Sequence, residues 1–227
     1  MNPETKFMSV EDPVEYEISG VSQIQLKPEI GMTFARALRS VLRHNPNVLM
    51  IGEIRDLESA EIAVEASLTG HMVLSTIHTN NSPATITRLL EMGIEDYLLA
   101  STVNAIAAQR LLRVLCSKCR KPAPPPAALL SKFAPLLHEG LAQNWCGPVG
   151  CPDCRGTGFK GRMSVAEVLL MSPAIEAAVL ERMPESRMRL LAREEGMRTL
   201  FEEGLSAAAQ GHTALAEVFA VIGSGLP

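Results

Sequence analysis

Val48-Leu-Met-Ile-Gly-Glu-Ile-Arg-Asp56 is an apolar run closed by a glycine and followed at once by two acids and an arginine. Val48–Ile51 suits a strand buried on both faces, as strands of a parallel sheet are. Glu53 then falls at the carboxyl end of that strand, the edge at which open α/β sheets place their ligands. Upstream, Asn45-Pro-Asn47 reads as a turn, and Thr33 precedes a segment with Phe34, Leu38, Val41 and Leu42 on one helical stripe and Arg36, Arg39 and Arg43 on another. Downstream, a helix is expected from near Asp56 to Gly70, then a strand Met72–Ile77 ending at His78. Ser82-Pro83 opens a further helix that stops at Gly93. Phe7–Val10 and Val21–Leu26, the second alternating with period two, supply two more strands. Strand, helix, strand, helix with short connections predicts an α/β layered domain with a mostly parallel sheet.

Composition agrees. The 227 residues are 47% hydrophobic and 20% charged, enough apolar material for a full core and too much for a disordered chain. No run reaches the roughly 18 apolar residues of a spanning helix. The opening Met1-Asn-Pro-Glu-Thr-Lys6 resembles no signal peptide, so a soluble intracellular protein is expected. A net charge of −4 and the lack of a basic–aromatic stretch argue against a bulk nucleic-acid partner.

Three strand ends carry polar groups. Glu53 is one; Val10-Glu-Asp-Pro-Val-Glu-Tyr16 adds Glu11, Asp12 and Glu15; the segment from Gly70 to Asn80 adds Ser75, Thr76, His78 and Thr79 at the end of its strand. Acids, hydroxyls and an imidazole gathered on one sheet edge make a site compatible with Mg²⁺. The same residues also fit a structural role, the acids capping helices and the histidine satisfying a core hydrogen bond.

Beyond Leu115 the composition changes. Four of five cysteines form C-x₂-C-x₃₁-C-x₂-C, Cys116/Cys119 and Cys151/Cys154, with the proline-rich Lys121–Pro126 between the pairs. Paired thiolates at this spacing predict a closed, structural Zn²⁺ site in a reducing compartment; four reduced buried thiols are the alternative. Cys146 is left over. From Ser164 onward the pattern reads as helical, with helices opened by Ser172-Pro173, spanning Glu185–Glu195 and spanning Thr199–Gln210.

Taken together, Leu38-Arg-Ser-Val-Leu-Arg43, Met50-Ile-Gly-Glu-Ile-Arg-Asp56, Ala66-Ser-Leu-Thr-Gly-His71, Leu74-Ser-Thr-Ile-His-Thr-Asn80, Gln109–Arg113 and Gly156–Arg162 resemble, in order and spacing, the bacterial type II secretion E proteins and type IV pilus assembly motors. The resemblance covers essentially the whole chain and includes the Asp, Walker B and His boxes. It implies a RecA-like P-loop NTPase core, truncated at its amino-terminal side, over residues 1–115. A four-cysteine zinc element at 116–162 and a helical subdomain at 163–227 would follow. By the same resemblance Glu53 orders Mg²⁺ and water at the γ-phosphate, Glu11 or Glu15 activates the nucleophile, and His78 senses the γ-phosphate. Asp12, Arg55, His71 and Thr76 are implied on the nucleotide side, with ATP and Mg²⁺ as cofactors of the full-length protein. Implied partners are copies of the chain in a hexameric ring and inner-membrane platform proteins, at the inner face of the bacterial cytoplasmic membrane.

One part of that machinery is missing. A P-loop reads G-x-x-x-x-G-K-[ST], and none of the lysines at 6, 27, 118, 121, 132 and 160 stands in that pattern. The expectation is therefore the carboxyl-terminal portion of a motor ATPase, inactive by itself. A non-catalytic zinc-bearing assembly module, or a degenerate gene fragment, is the alternative.

Overall fold

Five-residue strands at Phe7–Glu11 (β1) and Val21–Gln25 (β2) pair in parallel, with Ser9 opposite Gln23 and Glu11 opposite Gln25. The computed structural model describes residues 5–133 and 143–223; the start of the chain, where a leader was sought, lies mostly outside them. Val48–Ile51 (β3) pairs with the other side of β1, and Met72–Ser75 (β4) with β3, giving a parallel sheet in the order β2-β1-β3-β4. Val10, Leu49 and Ile51 are fully buried, which is why these strands read as apolar runs.

Helices Phe34–Leu42 (α1) and Leu57–Leu68 (α2) follow β2 and β3, and their apolar faces join the same core through Phe34, Leu38, Val41, Ile62 and Ala66. Each starts at a side-chain cap: Thr33 accepts from the Arg36 amide at 3.3 Å and Asp56 from the Ser59 amide at 2.8 Å. The arginine face of α1 is exposed, as its separate stripe predicted. The free edge of β4 has no strand beside it among the described residues, and Met72 and Leu74 on it are 52% and 42% exposed.

The strand expected to reach Ile77 ends at Ser75 because the next residue bonds elsewhere. Thr76 accepts from the Ile54 amide at 2.9 Å through its carbonyl and donates its hydroxyl to the Gly52 carbonyl at 2.7 Å. Helices Ser82–Glu91 (α3) and Asp96–Thr102 (α4) come next, the second unread in the sequence.

The chain forms two compact units. One gathers the stretch up to Thr79 with Pro83–Asn104 and Met171–Met188; the other gathers Asn80–Ser82, Ala105–Leu170 and the chain from Arg189 onward. Residues 1–115 and 163–227 are thus each shared between the units. In the first unit, helix Pro173–Leu180 (α6, after α5 below) packs on α4, and beyond its end Arg182 bonds Asp96 at 2.9 Å.

The second unit is built on a long antiparallel ribbon, Ala105–Leu115 (β5) against Phe159–Leu170 (β8). This corrects the sequence reading, which made everything from Ser164 helical. Ser164–Leu170 is a strand with Val165, Glu167 and Leu169 buried and their neighbours exposed, a period of two. Ala, Glu and Leu favour helix, but pairing with β5 overrides that preference. Two short strands, Lys121–Pro122 (β6) and Cys146–Gly147 (β7), pair antiparallel, and Ala127–Phe133 (α5) leaves the proline-rich segment. Helix Glu185–Glu194 (α7) bridges the unit boundary in sequence; Leu200–Ala209 (α8) and Leu215–Ile222 (α9) cover the ribbon with Leu200, Phe201, Leu205, Leu215 and Val218. Glu217 on α9 is buried and accepts three hydrogen bonds from Arg113 on β5: the backbone amide at 3.2 Å, Nε at 2.9 Å and Nη2.

Candidate functional site

Parallel strands bring their carboxyl ends to one edge, and β1, β3 and β4 do so side by side. Gly52 makes the close approach possible. Its amide donates to the Val10 carbonyl at 2.8 Å, and a Cβ there would meet that oxygen at 3.2 Å and the Glu11 Cα at 3.3 Å. Glu53 therefore emerges directly beside the end of β1.

Around Glu53 the expected residues converge. Arg55 Nη2 donates to Oε1 at 2.5 Å, His78 Nε2 lies 3.4 Å from Oε2, and Arg55 Nη1 lies 3.9 Å from Asp12 Oδ2. The bond from Arg55 holds the Glu53 carboxyl below its usual range against the desolvation that would raise it, with His78 acting in the same direction as Arg55. The carboxylate is 17% exposed while the His78 ring is 91% exposed, so a shielded anion sits under a ring open to solvent. Thr76 joins this edge through its bond to Gly52.

Glu11 and Glu15 are placed differently. Glu11 is buried, accepting from Ser9 Oγ at 2.5 Å and Gln23 Nε2 at 2.9 Å, both at Oε1. Gln23 Nε2 also donates to the Tyr16 carbonyl, and its Oε1 accepts from the Ile18 amide, which fixes the segment after β1. Glu15 is exposed within that segment. Ser9 and Gln23 escaped the sequence reading, yet a signal existed: Ser9 and Glu11 are two apart on one strand, hence on one face.

His71 stands apart from these residues. It precedes β4 and so lies at the opposite edge of the sheet from Thr76 and His78. Its Nδ1 sits 2.9 Å from the Ala66 carbonyl and 3.1 Å from Thr69 Oγ1, closing the turn between α2 and β4.

A second site lies in the other unit. The Sγ atoms of Cys116, Cys119, Cys151 and Cys154 all fall within 4.8 Å of one another, with individual separations of 3.9 Å (116–151), 3.8 Å (119–154) and 3.7 Å (151–154). Zn–S bonds of about 2.3 Å in a tetrahedron require S···S distances of about 3.8 Å, so the four thiols fit the ion. Amides turn toward sulfur as well: Gly150 to Cys119 at 3.3 Å, Cys151 and Gly158 each to Cys154 at 3.2 Å. Burial would raise the Cys154 thiol, but those two amides bring it down to about 6, whereas burial pushes Cys119 up to about 11. The knuckle needs glycine at 150, where φ is +103° and a Cβ would meet the Gly156 carbonyl at 2.6 Å. Asp153 ties the pairs together, bonding Lys118 at 3.0 Å and Lys160 at 2.7 Å. Cys146 lies outside this cluster.

Residues 1–220 match the family described as type II/IV secretion system protein. The chain belongs to that family. It is 43% identical over 226 residues to the putative type II secretion system protein E of Escherichia coli, an alignment covering 99% of this chain and 45% of that protein. It is 45% identical over 216 residues to the type IV pilus assembly ATPase PilB of Pseudomonas aeruginosa, covering 92% and 37%. The chain thus spans less than half the length of these family members. Among solved structures, that of the pilus retraction motor PilT with bound ADP superposes with a TM-score of 0.66 at 24% identity, covering 95% of this chain and 52% of that one. The fold is accordingly the α/β, RecA-like fold of the secretion ATPases. No helix among the described residues is long and apolar enough to cross a membrane.

Proposed function

We propose that this chain is the strand-edge portion of a hexameric motor ATPase that drives pseudopilus or type IV pilus assembly and protein secretion. It would work against platform proteins at the inner face of the bacterial cytoplasmic membrane. The observation that carries the reading is the meeting of Glu53, Arg55, Asp12 and His78 at the ends of three adjacent parallel strands. Mg²⁺ and ATP, when bound there, supply the electrophilic phosphoryl group. Glu53, kept ionised by Arg55, is the carboxylate that faces the metal and orients water; Asp12 and Thr76 line the same edge. Arg55 already shares that charge, and it would be the residue to pair with a phosphate oxygen were a cation held at Glu53. Glu11 or Glu15 assists the nucleophile, and the exposed His78 meets the γ-phosphate. The four thiols hold a structural Zn²⁺ that stiffens the connection between β5 and β8.

Phosphoryl transfer depends almost wholly on positioning and charge stabilisation, and the 227 residues contain no P-loop to grip the phosphates. The chain alone therefore turns over no ATP. Joined to an upstream P-loop segment from a relative, it gains Mg²⁺-dependent turnover that Glu53→Gln removes while ATP binding persists. Robust turnover by the isolated chain that disappears in Glu53→Gln would overturn this account. A second reading is a zinc-bearing assembly module without catalysis, supported by the complete thiol cluster; retained turnover in the joined protein excludes it.

A further inference from the structure

Glu11, Asp12, Glu15 and Glu17 put four carboxylates into seven residues at the end of β1. Asp12 faces Arg55 at 3.9 Å, while Glu15 and Glu17 stand exposed. Like charges this close repel, so the segment needs a grip that does not depend on charge. Gln23 on β2 supplies one. Its Nε2 donates to Glu11 Oε1 at 2.9 Å and to the Tyr16 carbonyl at 3.0 Å, and its Oε1 accepts from the Ile18 amide at 2.7 Å. Turning the amide over would set oxygen against a carboxylate and a carbonyl, and NH₂ against an N–H, so the three partners fix one orientation. The Ile18 carbonyl in turn accepts from the Val21 amide at 3.1 Å, which closes the segment back onto the start of β2. All of these residues belong to the sheet unit.

Gln23 touches Glu11 itself, and Tyr16 is the chain neighbour of Glu15. One side chain thus holds both carboxylates assigned to the nucleophile, Glu11 directly and Glu15 through the adjoining backbone. We propose that Gln23 is a positioning residue that sets where the acidic segment stands in the proposed reaction. A neutral amide suits that task. Lysine or arginine at 23 would pair with Glu11 and draw off negative charge that this edge offers to Mg²⁺. The assignment rests on the reading of Glu11 and Glu15 in ATP hydrolysis, but the grip on the segment is testable without nucleotide.

Gln23→Met has a similar length and makes none of the three bonds; Gln23→Glu keeps an acceptor for Ile18 and loses both donors. The first readout is nuclear magnetic resonance on the 227-residue chain. In Gln23→Met the Ile18 amide should exchange roughly tenfold faster, and the Glu15 and Tyr16 backbone signals should shift and broaden. Those two signals should move as far in Gln23→Glu, where a carboxylate faces the Glu11 carboxylate and the Tyr16 carbonyl. The Leu26 amide, bonded to the Glu11 carbonyl at 2.9 Å, and the Gly52 amide, bonded to the Val10 carbonyl, should keep their protection. If Leu26 and Gly52 loosen together with Ile18, or if Glu15 and Tyr16 do not move, Gln23 only supports strand pairing and the proposal falls. The second readout is turnover by the chain joined to an upstream P-loop segment, in which both variants should lower kcat about tenfold with KM for ATP unchanged. A loosened segment with kcat unchanged also overturns the proposal. No turnover in the joined protein before substitution would instead sink the reading of Glu53, and the amide signals alone would then decide whether Gln23 holds the segment.

Discussion

Replacing Glu217 by glutamine tests the ion pair that ties α9 to β5. The amide side chain would keep one oxygen for the Arg113 amide and Nε, but would set an NH₂ against Nη2, losing one charge-assisted hydrogen bond. Such a bond contributes about 1.5–3 kcal/mol. The Arg113 guanidinium is 55% exposed, so water recovers part of its solvation, and about 1–2 kcal/mol is the expected loss. With a urea slope of about 2 kcal/mol/M, the midpoint falls by about 0.5–1 M. The single tryptophan, Trp145, packs on the core that includes α9, so its fluorescence follows this unit alone. The hydrogen bond from Arg113 holds Glu217 below its usual 4.5, so the carboxylate contributes stability above that value and loses it as the pH falls through the folded-state value. The gap between wild type and Glu217→Gln is therefore full at pH 7 and narrows in acid. Equal midpoints at pH 7, or a gap that persists unchanged once Glu217 is protonated, would refute the reasoning.

Purified chain should carry about one equivalent of zinc, and Cys154→Ser should lose it together with the protection of the Gly150 and Gly158 amides; metal analysis below about a tenth of an equivalent contradicts this. Gly204 on α8 lies so close to α9 that a Cβ would meet Val218 Cγ1 at 2.7 Å and Ile222 Cδ1 at 3.2 Å. Helix preference would favour alanine there by about 1 kcal/mol, but Val218 is fully buried and stiff, so Gly204→Ala should destabilise by a net ~1–2 kcal/mol in urea melts, and a rise in stability would count against it. The open edge of β4 should make the isolated chain associate weakly, and Leu74→Lys should reduce that in concentration-dependent light scattering; a stable hexamer at micromolar concentration speaks against this view of the surface.

The sheet unit was legible because its signals are local. Val48–Ile51 is apolar since β3 is covered on both faces, and Thr33, Asp56 and Ser172 each announce a helix that the structure caps at that residue. The convergence on Glu53 followed from one rule, that parallel strands end together. Two kinds of feature escaped. β5 and β8 are long strands rich in Ala, Leu and Arg, residues whose own preference is helical, and pairing with each other makes them a ribbon. Gln23 beside Glu11, Ser82 beside Glu167 and Arg113 beside Glu217 lie 12, 85 and 104 residues away, and no short window along the chain relates these pairs. His71 and His78 stand apart because β4 separates the two, and strand ends face opposite ways.

The packing of α6 on α4 also bears on how the chain is made. The sheet unit takes up Met171–Met188 only after the chain has left it at Asn104 and traced most of the ribbon unit. At about 5–20 residues per second, a ribosome needs roughly 3–13 s to cover that interval. Throughout it the sheet and its first four helices are already made while α4 waits for the helix that packs on it and for the Arg182 that meets Asp96. Neither unit is therefore a vectorial folding module. Synonymous changes that slow translation between Asn104 and Met171 would prolong the exposure of that helix face, and lower yield of soluble protein would follow from chain delivery alone, with no residue altered.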